Sequence, residues 1–295
     1  MTDQLDMLSP SALISSLRAF TTSPSSFRIL HTSRLSSPSP ISSPKTLYIL
    51  DSSFNPPTLA HLRICLSALR NDVRARSGSR RLLLLLAIQN ADKPPKPAAF
   101  EQRLSMMGLL AEEVQRSLAV ERKGPRDLDQ GVELVPVDVG VCKPPLFVDK
   151  ICAIEESREY GEGEVEQAHL IGFDTLLRLL DPTYYPDRTL RPLSVLFENH
   201  RVRATKRTED QWGLENEQDD YMRRLSDGKM EDEGWKRQWA DRIDLVDGRG
   251  AGEEMISSTK VRDAAQRDDQ EELQKLVPHE IAEWILRSRL YGDGS

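Results

Sequence analysis

Two short segments of this 295-residue chain place hydroxyl, imidazole and guanidinium groups at spacings suited to gripping phosphate. The first runs Tyr48-Ile-Leu-Asp-Ser-Ser-Phe-Asn-Pro-Pro-Thr-Leu-Ala-His61, an apolar strand that enters a Ser/Asn/Pro turn and then a helix starting near Thr58. Such a turn leaves backbone N–H groups and the positive end of a helix dipole at the carboxyl edge of a sheet, where open α/β sheets bind ligands. Thr58 and His61 stand three residues apart, so both side chains reach one group from the first helical turn. A satisfied structural histidine at a helix start is the competing reading of His61. The second segment is Ile256-Ser-Ser-Thr-Lys-Val-Arg262. One hydroxyl there is explained by helix capping. Three in a row, with Arg262 one turn beyond Thr259, form a second anion cradle that ends in a guanidinium fork. No Walker lysine or glycine triplet accompanies either segment.

Elements of a particular kind must position these groups. From Thr46 onward short apolar runs alternate with helix-period segments, the pattern of parallel strands joined by crossover helices. The expected strands are 46–50, 81–88, 132–139, 168–171, 193–197 and 243–246. Helices are expected at 59–71, 98–115, 145–157, 175–180 and 259–267, followed by a C-terminal helical region to Leu290. The run Arg81 to Ile88, almost all leucine, fits a strand buried on both faces. The fold class expected is therefore α/β, a mostly parallel sheet with helices on both faces.

Residues 1–45 hold thirteen serines and five prolines, so they are read as an N-terminal segment that is partly ordered at most, with a short helix pattern at 11–20 and a strand near 27–30. Residues 46–291 form the main domain. A charged and helical insertion is expected at about 201–242, where ten Lys/Arg balance eleven Asp/Glu around Trp212, Tyr221, Trp235 and Trp239. Its tryptophans are read as anchors of a solvated helix, with Trp235 and Trp239 at i, i+4. A formal net charge of −7 argues against a broad nucleic-acid-binding surface. Three cysteines, Cys65, Cys142 and Cys152, suit neither a disulfide framework nor a zinc site. The longest apolar run is too short to cross a bilayer, so no membrane partner is expected. A cytoplasmic or nuclear location follows, with a mitochondrial presequence as the weaker alternative because Asp3 and Asp6 open the segment.

Taken together the two cradles resemble a known family. Residues 53–61 look like the nucleotidyltransferase signature with Thr at its first histidine position, and 256–262 look like its partner motif. Within that superfamily the resemblance is to nicotinamide/nicotinate mononucleotide adenylyltransferases, fungal branch. Leu170-Ile-Gly-Phe-Asp174, Phe100-Glu-Gln-Arg103-Leu, Leu276-Val-Pro and the stretch from Trp284 to Tyr291 agree with it. Ser52 and Ala60 depart from glycines of the signature, without removing a reactive group.

The resemblance implies a Rossmann-like nucleotidyltransferase domain that transfers the adenylyl group of ATP to a pyridine mononucleotide, with Mg²⁺ carried on the ATP. It implies catalytic roles for His61, Thr58 and Arg262, and an ATP site drawn from Ser53, Phe54, His61, Asp174, Ser257, Ser258, Thr259 and Arg262. Asn90, Lys93 (or Lys96) and Arg103 are implied for the mononucleotide, with no protein ligand for the metal. The stacker on the pyridine ring stays open among Trp212, Trp235, Trp239 and Phe100. Two competing readings are an adenylyltransferase for another phosphorylated acceptor such as phosphopantetheine, and a catalytically weak nucleotide-binding adaptor in protein quality control that uses 201–242 to contact a protein partner.

Overall fold

A computed structural model describes residues 10–33, 43–75, 78–88, 98–121, 135–207, 215–248 and 255–292. Seven strands form one sheet: β1 (Phe27–Ser33), β2 (Thr46–Asp51), β3 (Arg80–Ala87), β4 (Val137–Cys142), β5 (Glu166–Gly172), β6 (Arg201–Thr205) and β7 (Ile243–Val246), in the spatial order β1-β4-β3-β2-β5-β6-β7. Only β1 is antiparallel, to β4; all other neighbours are parallel.

Strand alternation assigns each face its helices. Tyr48, Leu50, Leu82, Leu84, Ala168 and Leu170 pack under α1 (Pro10–Thr22), α2 (Leu59–Asn71) and α3 (Phe100–Glu121). The same layer holds three C-terminal helices, α8 (Ser258–Gln266), α9 (Gln270–Leu276) and α10 (His279–Ser288). Leu47, Ile49, Leu83 and Leu85 face the other way, toward α4 (Phe147–Ser157). Also on that side, α5 (Phe173–Leu179), α6 (Ser194–Asn199) and α7 (Glu215–Ser226) cover the β5, β6 and β7 end. The leucine run of β3 is buried on both faces, as a central parallel strand must be. Within the Ser/Pro-rich N-terminal stretch, α1 buries Leu13 and Phe20 and β1 extends the sheet.

Three expectations change. Leu193 to Phe197 is helix: Arg191–Leu193 is a 3₁₀ turn opened by Pro192, and α6 follows directly. A five-residue apolar run cannot by itself separate a strand from a buried helix. The strand lies eight residues later in Arg-Val-Arg-Ala-Thr, inside the stretch read as insertion. Its arginines are neutralised within the core: Arg201, 2% exposed, pairs with Asp72, Glu166 and Asp244, and Arg203 donates to the Ser67 hydroxyl at 3.2 Å. Trp235 and Trp239 do not share a helix face either. Both are 2% exposed, with rings 5.4 and 5.6 Å from Phe197, and Trp239 lies in the 3₁₀ turn Arg237–Arg242. The strand expected at 132–139 begins at Val137 and runs to Cys142; residues 132–134 lie outside those described.

No described helix is long and apolar enough to cross a membrane. The Arg201 cluster ties the amino ends of β5, β6 and β7 to the end of α2, and removing its fully buried cation leaves Asp72 without its guanidinium partner and Glu166 and Asp244 with only the more exposed Arg242 and Arg74. Arg201→Met should therefore lower unfolding free energy by about 3–5 kcal/mol, read from urea denaturation. A loss below about 1 kcal/mol would show that the cluster does not hold the strands together.

Candidate active site

The loop from β2 to α2 is held by its own side chains. Thr58 is the N-cap of α2 and is buried. Its backbone N–H donates to His61 Nδ1 at 3.0 Å, and its hydroxyl lies 2.8 Å from the same nitrogen. An N–H can only donate, so Nδ1 is the bare nitrogen and the ring proton belongs on Nε2. That proton points to Ser52 Oγ at 3.0 Å. Burial, and after it the charge of Arg207, hold His61 down at about 4. The imidazole is thus a neutral, oriented donor at the mouth of the sheet. Phe54, at φ 46°, turns its ring into the core beside His61, 5.4 Å between centroids. Of the two neighbours expected near ATP, Ser53 is exposed and Phe54 is fully buried.

The second cradle docks onto that loop. Ser257 caps α8 by accepting from the Lys260 N–H, and the Ser258 hydroxyl donates to the Pro56 carbonyl at 2.9 Å. Arg262 donates to the Asn55 carbonyl and to Thr259 Oγ1, each at 2.9 Å. Tyr291 reaches back from beyond α10 to donate to Asn55 Oδ1 at 2.9 Å. Segments 202, 207 and 236 residues apart are thereby stitched together, and the N-termini of α2 and α8 meet at one place.

Asp174 lies on the first turn of α5, just past Gly172 at the end of β5. Its Oδ1 accepts from Arg207 Nε at 2.9 Å and from the second guanidinium nitrogen at 2.8 Å. A Cβ on Gly172 would sit 2.5 Å from Asp174 Oδ1 and 3.1 Å from Arg207, so a side chain there would displace the Asp174–Arg207 pair. Arg207 is the site residue that sequence reasoning missed. Placing the strand at 193–197 put it in a solvated insertion, whereas it directly follows β6. Arg103 is 8% exposed, donates to the Ala98 carbonyl at 2.8 Å and lies over the Phe100 ring, so its guanidinium is committed within its own helix start. Buried Trp235 and Trp239 are unavailable as stackers. Asn90, Lys93, Lys96 and Trp212 lie outside the described residues.

No protein-family model matches the chain. A Schizosaccharomyces pombe protein named "Putative nicotinamide mononucleotide adenylyltransferase" is 35% identical over 240 residues, 81% of this chain and 83% of the yeast protein. The chain belongs to the mononucleotide adenylyltransferase family. Among solved structures, Plasmodium falciparum nicotinic acid mononucleotide adenylyltransferase complexed with NaAD aligns at TM-score 0.48 and 13% identity, over 84% of this chain and 97% of that one. The same enzyme complexed with APC aligns at TM-score 0.47 and 12% identity, with the same coverage.

In this adenylyltransferase-family chain the carboxylates nearest the site are already committed, Asp51 to Lys150 and Asp174 to Arg207. Among the described residues no group of three or more His, Cys, Asp or Glu gathers to hold a metal. That donor set suits a divalent cation carried in on phosphate oxygens. His61 should titrate near 4 in an NMR-monitored titration of the free chain, against roughly 6.5 for an unperturbed imidazole. A value above about 6 would remove the neutral-donor assignment. His169, lowered by burial and then by His200 and Lys150, shifts the same way. Below pH ~6.5 the unfolded chain takes up these protons before the folded one, so urea midpoints should fall as pH drops from 6.5 toward 4.

Proposed function

We propose that this chain transfers the adenylyl group of MgATP to nicotinamide mononucleotide, forming NAD and pyrophosphate by direct in-line attack of the acceptor's 5′-phosphate on the α-phosphorus. The observation that carries the reading is the junction of the two helix N-termini, with neutral His61 Nε2–H on one side and the Arg262 guanidinium on the other. The name of the yeast relative supports the choice of acceptor.

No protein nucleophile is needed, because the acceptor supplies its own phosphate oxygen. The chain's task is to hold two polyanions in line and to stabilise charge on the transferring and departing groups. His61 donates a hydrogen bond from Nε2–H to a phosphate oxygen in place of Ser52 Oγ and keeps its proton, while Thr58 fixes the tautomer that makes this donation available. Ser258, Thr259 and Arg262, at the positive end of the α8 dipole, hold the β- and γ-phosphates. Asp174 accepts hydrogen bonds from the nucleotide. A divalent cation carried on the ATP would offset the charge of its phosphates. The adaptor reading loses support because part of the 201–242 stretch offered as its contact surface, the strand β6 with Trp235 and Trp239, is buried in the core.

The test is dinucleotide formation from MgATP with nicotinamide mononucleotide, and in parallel with the nicotinate form. His61→Ala should lower kcat by roughly 10²–10³-fold, the usual cost of losing one transition-state donor, in a chain that stays folded at the assay temperature. Full turnover in His61→Ala would end the site assignment. Arg262→Ala should raise KM for ATP about tenfold or more, since a charge-assisted contact to phosphate is lost, and leave KM for the mononucleotide nearly unchanged. Equal loss of both would undo the division of roles between the two cradles.

A further inference from the structure

Helix α7 is polar along almost its whole length, yet one of its side chains, Gln218, is completely buried. A buried amide persists only where its hydrogen-bonding groups are met. Gln218 Oε1 accepts from the Arg207 backbone N–H at 3.1 Å, and its Nε2 donates to the Arg207 carbonyl. One side chain therefore grips both backbone groups of a single residue, as a neighbouring strand would, just where the β6–β7 ladder ends at Lys206 N–H to Val246 C=O. Asp219, next along α7, adds an ion pair to the Lys206 ammonium at 2.9 Å. The charged excursion thus reaches back and fixes the backbone from which the Arg207 side chain enters the site.

What that side chain does there follows from its neighbours. Its guanidinium gives two hydrogen bonds to one oxygen of Asp174 and lies close enough to His61 for its charge to be felt by the ring. The pair is partly open to solvent, with the Arg207 side chain 42% exposed and that of Asp174 16% exposed. Ion pairs this accessible are weak and exchange readily for a more highly charged partner. A nucleotide offers both replacements at once: phosphate oxygens for the guanidinium and ribose hydroxyls for the carboxylate.

We propose that Arg207 is a further catalytic cation of this site, parked on Asp174 in the free chain and transferred to the nucleotide phosphates on binding, and that Gln218 is the residue that positions it. This rests on the adenylyl-transfer reading above. The exchange makes one event out of binding the nucleoside end and presenting the cation, because Arg207 is released when Asp174 is taken. It also gives the charged excursion a task inside the active site.

The experiment combines MgATP calorimetry with steady-state kinetics on the full chain. Arg207→Ala should weaken MgATP binding about tenfold or more and lower kcat on the order of 10²-fold, as expected when a charge-stabilising donor is removed. Arg207→Lys should recover part of both. Gln218→Met, which keeps the bulk and removes both grips, should lower kcat about tenfold on the native background and have no further effect on the Arg207→Ala background. Gln218→Glu, which keeps the acceptor and loses the donor, should fall between, and serves if Gln218→Met does not fold. Native MgATP affinity and kcat in Arg207→Ala would overturn the proposal. So would a Gln218 effect of equal size on both backgrounds, because a merely structural role acts whether or not Arg207 is present. If the native chain makes no dinucleotide with either acceptor, the acceptor assignment fails. The MgATP affinities of the native chain and Arg207→Ala then still decide the role of Arg207.

Discussion

The structure depends on how the carbonyls of Asn55 and Pro56 are satisfied. They lie in a buried loop that belongs to neither strand nor helix, so no regular ladder can pair them, and leaving them bare out of water would be costly. Their partners are Arg262 and Ser258, with Tyr291 holding the Asn55 side chain. Because these donors sit at the start of α8 and at the end of the chain, satisfying the loop forces the N-termini of α2 and α8 together. Two positive dipole ends then converge on the carboxyl edge of a parallel sheet, an arrangement that favours an anion.

Electrostatics at that edge runs against the chain as a whole. The net charge is −7, yet the acids nearest the site are each held by a cation: Asp51 by Lys150 from α4, and Asp174 by Arg207 from beyond β6. The cleft can therefore receive a polyanion without a field of like charge in the way. The far edge of the sheet shows the complementary arrangement, where Arg201 is enclosed by Asp72, Glu166 and Asp244. Charge is enclosed at one end of the strands and left partly open to solvent at the other: 2% exposure for the Arg201 side chain against 42% for that of Arg207.

What could be read from the sequence divides along the same line. Helix α2 spans the very residues its periodicity marks, and β2, β3 and β7 fall where their apolar runs lie, because local pattern and tertiary burial agree there. Thr58 with His61, and Ser257 with Lys260, were legible as short-range pairs at helix starts. The strand Arg-Val-Arg-Ala-Thr was hidden because its arginines suggest solvent, and only acids brought from three other elements make their burial possible. Misplacing it by eight residues took Arg207 out of view. Tyr291 was readable as part of a terminal helix motif, but its hydrogen bond to Asn55 spans 236 residues and leaves no local mark.

Among the described residues, three donors proposed for the site are already hydrogen-bonded to oxygens of the free chain. His61 Nε2 has Ser52 Oγ, Arg207 has Asp174, and Arg262 has the Asn55 carbonyl and Thr259. On the proposed function, nucleotide oxygens would take the place of Ser52 Oγ on His61 and of Asp174 on Arg207, so binding would exchange one acceptor for another and strip no bare cation of its water. These donors are fixed in direction before a nucleotide arrives, the condition under which hydrogen bonds stabilise developing charge without reorganisation at the moment of reaction. A guanidinium carries five N–H donors, so Arg262 can meet a phosphate while keeping the Asn55 carbonyl on which the loop depends.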